Sequence, residues 1–211
     1  MIELKYHNID CMEGMKEFPD KYFELAIVDP PYGCSVNWKD TGNGLIAKNK
    51  LSKWDIAPQK EYFTELFRIS KNQIVWGANF FTEHLPISDN WVCFQKYGIP
   101  SLPEFELAWT STDVKNKVWG ASRLDLNINY GKLIHPTQKP VELYEWLLSH
   151  YAKTGDKILD THVGSGSSII AFEKHGFDYC GFEIDKDYYE ASTKRILKHR
   201  ELLQQEKIAY D

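Results

Sequence analysis

The chain has 211 residues, the length of one ordinary domain with a sizeable core. An apolar fraction of 43% and a charged fraction of 26% are typical of a globular protein that folds in water. The net charge of −5 excludes a protein that covers nucleic acid with a basic surface, so any contact with phosphates requires a local basic patch.

The four cysteines indicate no metal site. Cys11, Cys34, Cys93 and Cys180 are far apart in sequence and form no zinc-ligand spacing. Scattered thiols are typical of a reducing compartment. The first residues lack the pattern of a signal peptide, and no apolar run reaches transmembrane length. We therefore expect a cytoplasmic protein with no bound metal and no membrane span.

The first thirty residues predict a parallel βαβ unit. Residues 2–6 alternate between polar and apolar side chains, as a strand does. Residues 11–18 predict a short helix, and the apolar run 23–28 predicts a buried strand. Strand, helix and strand in this order are typical of α/β folds.

The buried strand ends at Asp29, Pro30, Pro31 and Tyr32. The prolines have a fixed φ and no N–H, so they predict a stiff loop at the carboxyl end of the strand. The Asp29 carboxylate and the Pro30 carbonyl could each accept an N–H of a nucleobase amino group, which localises its lone pair. Tyr32 could then stack on the base. The alternative is a proline-rich turn with no role in chemistry.

The middle of the chain predicts helices, strands and two polar segments. Residues 33–58 form a long loop with several lysines, either an arm over the site or a solvated loop. A helix is expected at 61–70, a buried strand at 73–77 and a short helix at 80–85. The runs 91–95 and 105–109 predict an antiparallel hairpin at a sheet edge. The polar segment 111–133 is either a connector or a second candidate for nucleic-acid contact.

The last third predicts a nucleotide-binding corner. A helix begins near Pro140, and the strand 157–160 leads into a Gly-x-Gly loop. The helix 169–175, the strand 179–183 and a charged terminal helix over 188–205 follow.

The loop itself favours one kind of ligand. Gly164 and Gly166 let the backbone approach a ligand closely, but Ile169 replaces the third glycine of a dinucleotide fingerprint. Asp160 suits an ammonium group, and Glu183 stands where an acid accepts hydrogen bonds from ribose hydroxyls. S-adenosylmethionine has a ribose and an ammonium group and no pyrophosphate. A plain strand-to-helix turn is the alternative.

Taken together, these motifs resemble those of the amino-methylating DNA methyltransferases, which act on N6 of adenine or N4 of cytosine. Residues 29–32 match the catalytic loop of that family, and Glu183 matches its ribose-binding acid. Residues 160–167, which end in Ser167, resemble its methionine-side loop, although Thr161 and His162 replace Pro-Phe.

The resemblance also implies the remaining cofactor contacts. Residues 135–140 are close to a family signature that puts Thr137 and Lys139 at the carboxylate end of the cofactor. Residues 8–11 resemble a segment that puts Asp10, beside Cys11, near the cofactor adenine.

The fold implied is α/β: a doubly wound, mostly parallel, Rossmann-like sheet with an antiparallel edge hairpin. Residues 1–211 would form one methyltransferase domain. Target recognition would be reduced to segments 38–58 and 111–133. The catalytic loop precedes the cofactor loop, which resembles the permuted β group, and the compact length resembles phage-encoded or orphan members.

The activity implied is methylation of adenine N6 in double-stranded DNA, of the kind found in restriction-modification systems. Aspartate at position 29 is typical of adenine-specific members, whereas serine is more typical of cytosine-N4 enzymes. Three other substrates remain open: cytosine N4 in DNA, adenine in RNA and a glutamine side chain in protein. The protein could also bind the cofactor without catalysing transfer, and it could form a homodimer.

Four histidines and one basic run are expected to have no part in the chemistry. The histidines are expected to be structural or solvent-facing; they are His84, His135, His150 and His162. The basic run 194–200 is expected to be a solvated helix face, although it could also contact DNA phosphates.

Overall fold

The computed structural model describes residues 3–33, 55–98, 103–122 and 133–210. The predicted arm at 33–58 and the segment 111–133 therefore lie partly outside the described residues. The elements, in chain order, are β1 Tyr6–His7, α1 Cys11–Lys16, β2 Phe23–Val28, α2 Lys60–Ile69, β3 Ser70–Trp76, a 3-10 turn Ala78–Phe80, β4 Trp91–Tyr97, β5 Phe105–Thr110, β6 Lys117–Ser122, α3 Val141–Tyr151, β7 Lys157–Asp160, α4 Ser167–Lys174, β8 Asp178–Phe182 and α5 Lys186–Tyr210.

The strands form one sheet of eight, in the order β1-β8-β7-β2-β3-β5-β4-β6. All neighbouring pairs are parallel except β3 with β5 and β5 with β4. Within the described sheet, β5 alone therefore runs against the other strands. The carboxyl ends of β1, β2, β3, β7 and β8 lie at one edge, together with the amino end of β5.

The central strand β2 is buried on both faces, which explains its unbroken apolar sequence. Leu25 and Ile27 pack into one apolar cluster, whereas Ala26 and Val28 pack into a second. Helices α3 and α4 and Ile196 of α5 cover the first cluster, and α1 and α2 cover the second. The doubly wound, mostly parallel α/β fold is confirmed.

The antiparallel hairpin is also confirmed, and it has an additional neighbour. β4 and β5 pair from Trp91↔Trp109 to Gln95↔Phe105. β6 pairs in parallel with β4 and forms the outer strand beyond the hairpin. The polar sequence of 111–133 gave no signal for this strand, because an edge strand buries little side-chain surface.

Two local predictions were wrong. From residue 3 onward, where the structure describes the chain, the first strand covers Tyr6–His7, whereas the sequence predicts residues 2–6. The helix predicted at 80–85 is instead a single 3-10 turn at Ala78–Phe80, which Gly77 begins with φ +65°. No helix in the described ranges is both long enough and apolar enough to cross a membrane.

Gly77 brings the end of β3 against the loop that follows β2. A Cβ atom at this position would overlap the ring of Tyr32. Gly98, after β4, has a similar φ of +70°, but nothing lies within 4 Å of the position of its Cβ. Substitutions at these two glycines therefore distinguish the cost of backbone strain, which both share, from the cost of steric overlap, which only Gly77 has.

We expect Gly77→Ala to reduce the free energy of unfolding more than Gly98→Ala does. Both variants place alanine in the left-handed region, at about 1–2 kcal/mol. Only Gly77→Ala must also displace the Tyr32 ring, which adds about 1–3 kcal/mol. Chemical denaturation of both variants measures the difference. An equal loss would show that the Tyr32 ring yields without cost.

Candidate active site

A cavity of about 440 Å³ opens at the edge where the strand ends meet. This volume lies in the range usual for small-molecule sites. Loops after β1, β2, β7 and β8 line it, together with residues before α3 and at the start of α5. The residues that line it are Asp10, Cys11, Asp29, Pro30, Pro31, Tyr32, Asp55, Ile56, His135, Thr137, Gln138, Lys139, Tyr144, Thr161, His162, Val163, Gly164, Ser165, Phe182, Glu183, Ile184, Asp185 and Tyr188.

The carboxylate of Asp29 is held from two sides. The Tyr32 hydroxyl donates to its Oδ1 at 2.7 Å. The Lys139 ammonium donates to its Oδ2 at 2.5 Å. A carboxylate has about four lone-pair positions, so Asp29 can still accept hydrogen bonds from a ligand.

Tyr32 packs against the protein as well as facing the cavity. Its ring stacks on Phe80, with centroids 5.0 Å apart and planes 16° apart. Burial raises the pKa of its hydroxyl well above the usual value, and the Asp29 charge adds to this effect. Tyr32 therefore stays a neutral hydrogen-bond donor, and Phe80 already covers part of the ring that was predicted to stack on a base.

Lys139 lies between two carboxylates. Its Nζ is 3.1 Å from Oε2 of Glu106 on β5, in addition to its contact with Asp29. Burial alone would lower the pKa of Lys139, but the charges of Asp29 and Glu106 outweigh it and raise that pKa. The family resemblance implies that Lys139 lies at the carboxylate end of the cofactor; in this structure its ammonium contacts Asp29.

The predicted ribose acid is held by the glycine loop. The backbone N–H of Gly164 donates to Oε2 of Glu183 at 2.9 Å, and that of Asp185 donates to Oε1 at 2.8 Å. Burial raises the pKa of Glu183, although both hydrogen bonds oppose the shift. The carboxylate is thereby fixed in orientation at the cavity wall.

Asp160 lies behind the cavity wall instead of lining it. Its Oδ1 accepts the His162 N–H at 2.9 Å, and its Oδ2 accepts the Ser168 hydroxyl at 2.5 Å. Burial raises its pKa to about 7, although the two hydrogen bonds lower it. Its contacts stabilise the bend that carries the glycine loop.

Gly166 and Ser167 also lie outside the lining. Gly166 caps α4 with φ +79°. Arg195 of α5 donates to the Ser165 carbonyl at 2.9 Å and to the Ser167 hydroxyl at 2.8 Å. This arginine belongs to the basic run 194–200, and its sequence position gave no signal that it would support the loop.

Thr161 and His162, which replace Pro-Phe of the family motif, fit into a polar network. The buried Thr161 hydroxyl lies 2.6 Å from the Tyr62 hydroxyl and 2.9 Å from Nδ1 of His162. His162 Nε2 faces Cys11 Sγ at 3.9 Å. Burial lowers the pKa of His162 to about 4, so the imidazole is neutral near pH 7.

His135 has a supporting role beside Thr137. Its Nδ1 lies 3.1 Å from the Thr137 hydroxyl, and its ring packs edge-on against Tyr188 with centroids 4.4 Å apart. Burial and the nearby Lys139 lower the pKa of His135 to about 4. Both cavity histidines, His135 and His162, are therefore uncharged near pH 7. Burial in the folded protein causes this, and the positions of the histidines in the sequence do not reveal it.

The loops after β1 and β2 complete the lining. Asp10 caps α1 by accepting the Met12 N–H at 2.7 Å. Asp55 accepts the Gly33 N–H at 2.8 Å, which joins the two ends of the segment 34–54. Residues 34–54 lie outside the described part of the chain, whereas Asp55 and Ile56 line the cavity.

The predicted site residues divide into two groups. The structure brings together ten of them around one cavity, and three others support the cavity from behind. Those in the lining are Asp10, Cys11, Asp29, Pro30, Pro31, Tyr32, Thr137, Lys139, Gly164 and Glu183, and those outside it are Asp160, Gly166 and Ser167.

The donor set fits S-adenosylmethionine. Among the lining residues the acids are Asp10, Asp29, Asp55, Glu183 and Asp185, and Lys139 is paired with carboxylates. A cavity with an excess of carboxylates favours a ligand with ammonium and sulfonium charges, and Glu183 retains lone pairs for ribose hydroxyls. No group of three metal-binding side chains occurs in the described ranges.

Comparison with known proteins identifies relatives. The DNA methylase family model matches residues 103–194. The type II methyltransferase M2.DpnII of Streptococcus pneumoniae is 37% identical, over 89% of this chain and 87% of its own.

Two solved structures have the same fold. The complex of M1.HpyAVI with SAM superposes with a TM-score of 0.63 at 17% identity, over 92% of this chain and 99% of the other. The cytosine-N4-specific PvuII DNA methyltransferase has a TM-score of 0.61 at 14% identity, over 92% and 90%.

We expect Asp160→Asn to stabilise the ligand-free protein increasingly as the pH rises from about 4 to about 7. In this window the folded protein holds a proton on Asp160 that the unfolded chain has lost, so the wild-type carboxyl reduces stability as the pH rises. The asparagine removes that slope, and the difference reaches at most about 4 kcal/mol. Denaturation at a series of pH values measures it.

Ser168→Ala is the matched variant for this titration. It removes the hydroxyl that lowers the pKa of Asp160, so the window should extend to higher pH. A stability difference between Asp160→Asn and wild type that does not change with pH would contradict the buried titration.

Proposed function

The chain belongs to the DNA methylase family, and on this premise we propose that it transfers a methyl group from S-adenosylmethionine to N6 of adenine in DNA. The observation that carries the proposal is one cavity that two sets of strand ends line. The doubly hydrogen-bonded Asp29 carboxylate follows β2, which we call the first wall, and the Gly164–Glu183 pair follows β7 and β8, which we call the second wall.

Residues on the second wall would bind the cofactor. Glu183 would accept hydrogen bonds from the ribose hydroxyls, and Ile184, which is 62% exposed, offers an apolar surface to the adenine ring. Asp10 and the backbone of Gly164 complete this wall. When bound, S-adenosylmethionine supplies an electrophilic methyl group on a positively charged sulfur.

Asp29 would activate the amino group of the base. Its carboxylate accepts an N–H, which favours a tetrahedral nitrogen with a localised lone pair. As the new N–C bond forms, the S–C bond to the same methyl group would break with its electron pair on sulfur, and the cofactor product would leave as a neutral thioether. The nitrogen would gain a positive charge, which a fixed carboxylate would stabilise until the amino group loses a proton to solvent. The Tyr32 hydroxyl and the Lys139 ammonium hold the carboxylate in place, so little reorganisation is needed.

The target base must leave the duplex to reach Asp29. Tyr32 and Phe80 would form the aromatic surface that contacts the base, since Phe80 is 49% exposed beside the Tyr32 ring. Adenine is favoured over cytosine because the motif begins with aspartate. The segments 38–58 and 111–133 are proposed to contact DNA; the described part of the second contains the exposed Lys115.

We expect Asp29→Ala to lower the turnover number by at least about 100-fold, because the transition state loses its fixed charge partner. The dissociation constant for S-adenosylmethionine should change little, since the cofactor contacts lie on the other wall. Transfer of a labelled methyl group to DNA and calorimetric titration measure the two effects. Asp20→Ala, which removes an exposed carboxylate paired with Arg68, is the control and should keep full turnover.

The methylated product distinguishes this function from its alternatives. Nucleoside mass spectrometry of treated DNA should detect N6-methyladenine. N4-methylcytosine would move the proposal to the other branch of the family, to which the PvuII enzyme belongs. Label on RNA or protein, or binding without any transfer, would contradict the proposal.

A further inference from the structure

The Asp29 carboxylate ends a line of four alternating charges. Lys139 follows it at 2.5 Å, and Glu106 follows Lys139 at 3.1 Å. The other carboxylate oxygen of Glu106 pairs with Lys96 of β4. The side chains of Lys139 and Lys96 are only 4% and 10% exposed, so water screens this line little.

Strand order brings these four groups together. β5 runs against its neighbours, so Glu106, near its amino end, lies at the same edge as the carboxyl end of β2. Phe94 of β4 is the register partner of Glu106, which places Lys96 near that edge as well. A hairpin that is remote in sequence from the catalytic loop thus reaches Asp29 through one lysine.

Stability alone is a weak explanation for the four charges. Buried ion pairs are often replaceable by apolar residues at no loss of stability, because the desolvation of the charges offsets their attraction. Trp76 lies beneath the line, with its ring centroid 5.3 Å from Lys139 Nζ, so apolar packing was available at this place. We therefore consider what these charges do to the Asp29 carboxylate.

The charges on Lys139 and Glu106 have opposite effects on Asp29. An ammonium at 2.5 Å partly neutralises the carboxylate and weakens it as an acceptor for a substrate N–H. A negative charge on the far side of the same ammonium restores part of that strength. Burial alone would raise the pKa of Glu106, but Lys139 and Lys96 outweigh it and lower that pKa to about 2, so the negative charge persists.

We propose that Glu106 is a positioning residue for methyl transfer, which acts through Lys139 to orient Asp29 and to keep it a strong hydrogen-bond acceptor. The catalytic part of this inference rests on the proposed function. The Tyr32 hydroxyl on Asp29 and Tyr144 of α3 beside Lys139 face the line, and both are neutral, because burial raises their pKa values well above the usual range. Two further groups interact with the line: Asp29 helps to raise the pKa of Asp160, and Lys139 helps to lower the pKa of His135.

Two substitutions should act differently on the turnover number. In Glu106→Gln, Lys139 acts on Asp29 without opposition, so the carboxylate becomes a weaker acceptor for the substrate N–H and the turnover number should fall. In Lys96→Met, Glu106 loses a cation and opposes Lys139 more strongly, so the turnover number should not fall. A merely structural role would lower turnover in both variants, since each removes one partner of a buried ion pair.

Glu106→Gln should also separate the effect on turnover from the effect on binding. Glu106→Gln should lower the turnover number by at least about tenfold, with the KM for DNA and the dissociation constant for S-adenosylmethionine within about twofold of wild type, since Glu106 does not line the cavity. Unchanged turnover in Glu106→Gln, or an equal fall in Lys96→Met, would overturn the proposal.

A measurement on the ligand-free protein keeps this inference separate from the proposed function. The ammonium of Lys139 should give an ordered ¹⁵N signal in NMR of the wild type and of Lys96→Met. That signal should broaden or disappear in Glu106→Gln. If the wild type methylates no DNA, the proposed function fails, and this arm still decides whether Glu106 orders Lys139. An unchanged signal in Glu106→Gln overturns the positioning.

A double variant covers the case in which Glu106→Gln does not fold. Lys96→Met with Glu106→Gln removes both charges and leaves no unpaired lysine at position 96. It should lose the ordered Lys139 signal and at least about tenfold in turnover number, as the single variant does. Wild-type values for both in the double variant would overturn the proposal.

Discussion

The common direction of seven strands is the constraint on which the site depends. Because β1, β2, β7 and β8 are parallel, their carboxyl ends meet, and each of the loops that follow contributes side chains to one cavity. β2 and β7 are neighbours whose helices leave to opposite faces of the sheet, which opens the crevice between them. The reversed strand β5 adds to the same edge from its amino end, and this supplies Glu106.

Charge distribution in the cavity follows from that convergence. Strand ends bring Asp29, Asp10 and Glu183 into the lining of one cavity, where nearby carboxylates repel one another unless cations intervene. Lys139 is the cation among the described lining residues, and it is shared between Asp29 and Glu106. Asp10 and Glu183 on the second wall instead accept backbone N–H groups, so that wall stays acidic. A positively charged cofactor on that wall and a carboxylate held by lysine on the other wall are consistent with one another.

Sequence patterns predicted the backbone of the site well and its side-chain network poorly. The run 23–28 and the loop at Asp29 depend on local signals: apolar continuity and proline stiffness. Lys139 could be assigned only by resemblance, and its contact with Asp29 spans 110 positions of the chain. Arg195 and Glu106 had no local signal, since a basic residue on a helix and an acid on a strand are usually exposed. Strand β6 was missed because its packing with β4, not its own composition, determines it.

Folding without a ligand disfavours the charged forms of two carboxyl groups, Glu183 in the cavity lining and Asp160 behind it. Burial raises the pKa values of Asp160 and Glu183, which means that their charged forms are less stable here than in water. Hydrogen bonds from Ser168, His162 and Gly164 recover only part of this loss. A cationic ligand between the walls would stabilise the charged forms that the empty fold disfavours. A ligand that binds only the folded state raises the stability of that state. The burial of carboxylates that lowers the stability of the empty protein is therefore also the reason why the cavity would bind a cation.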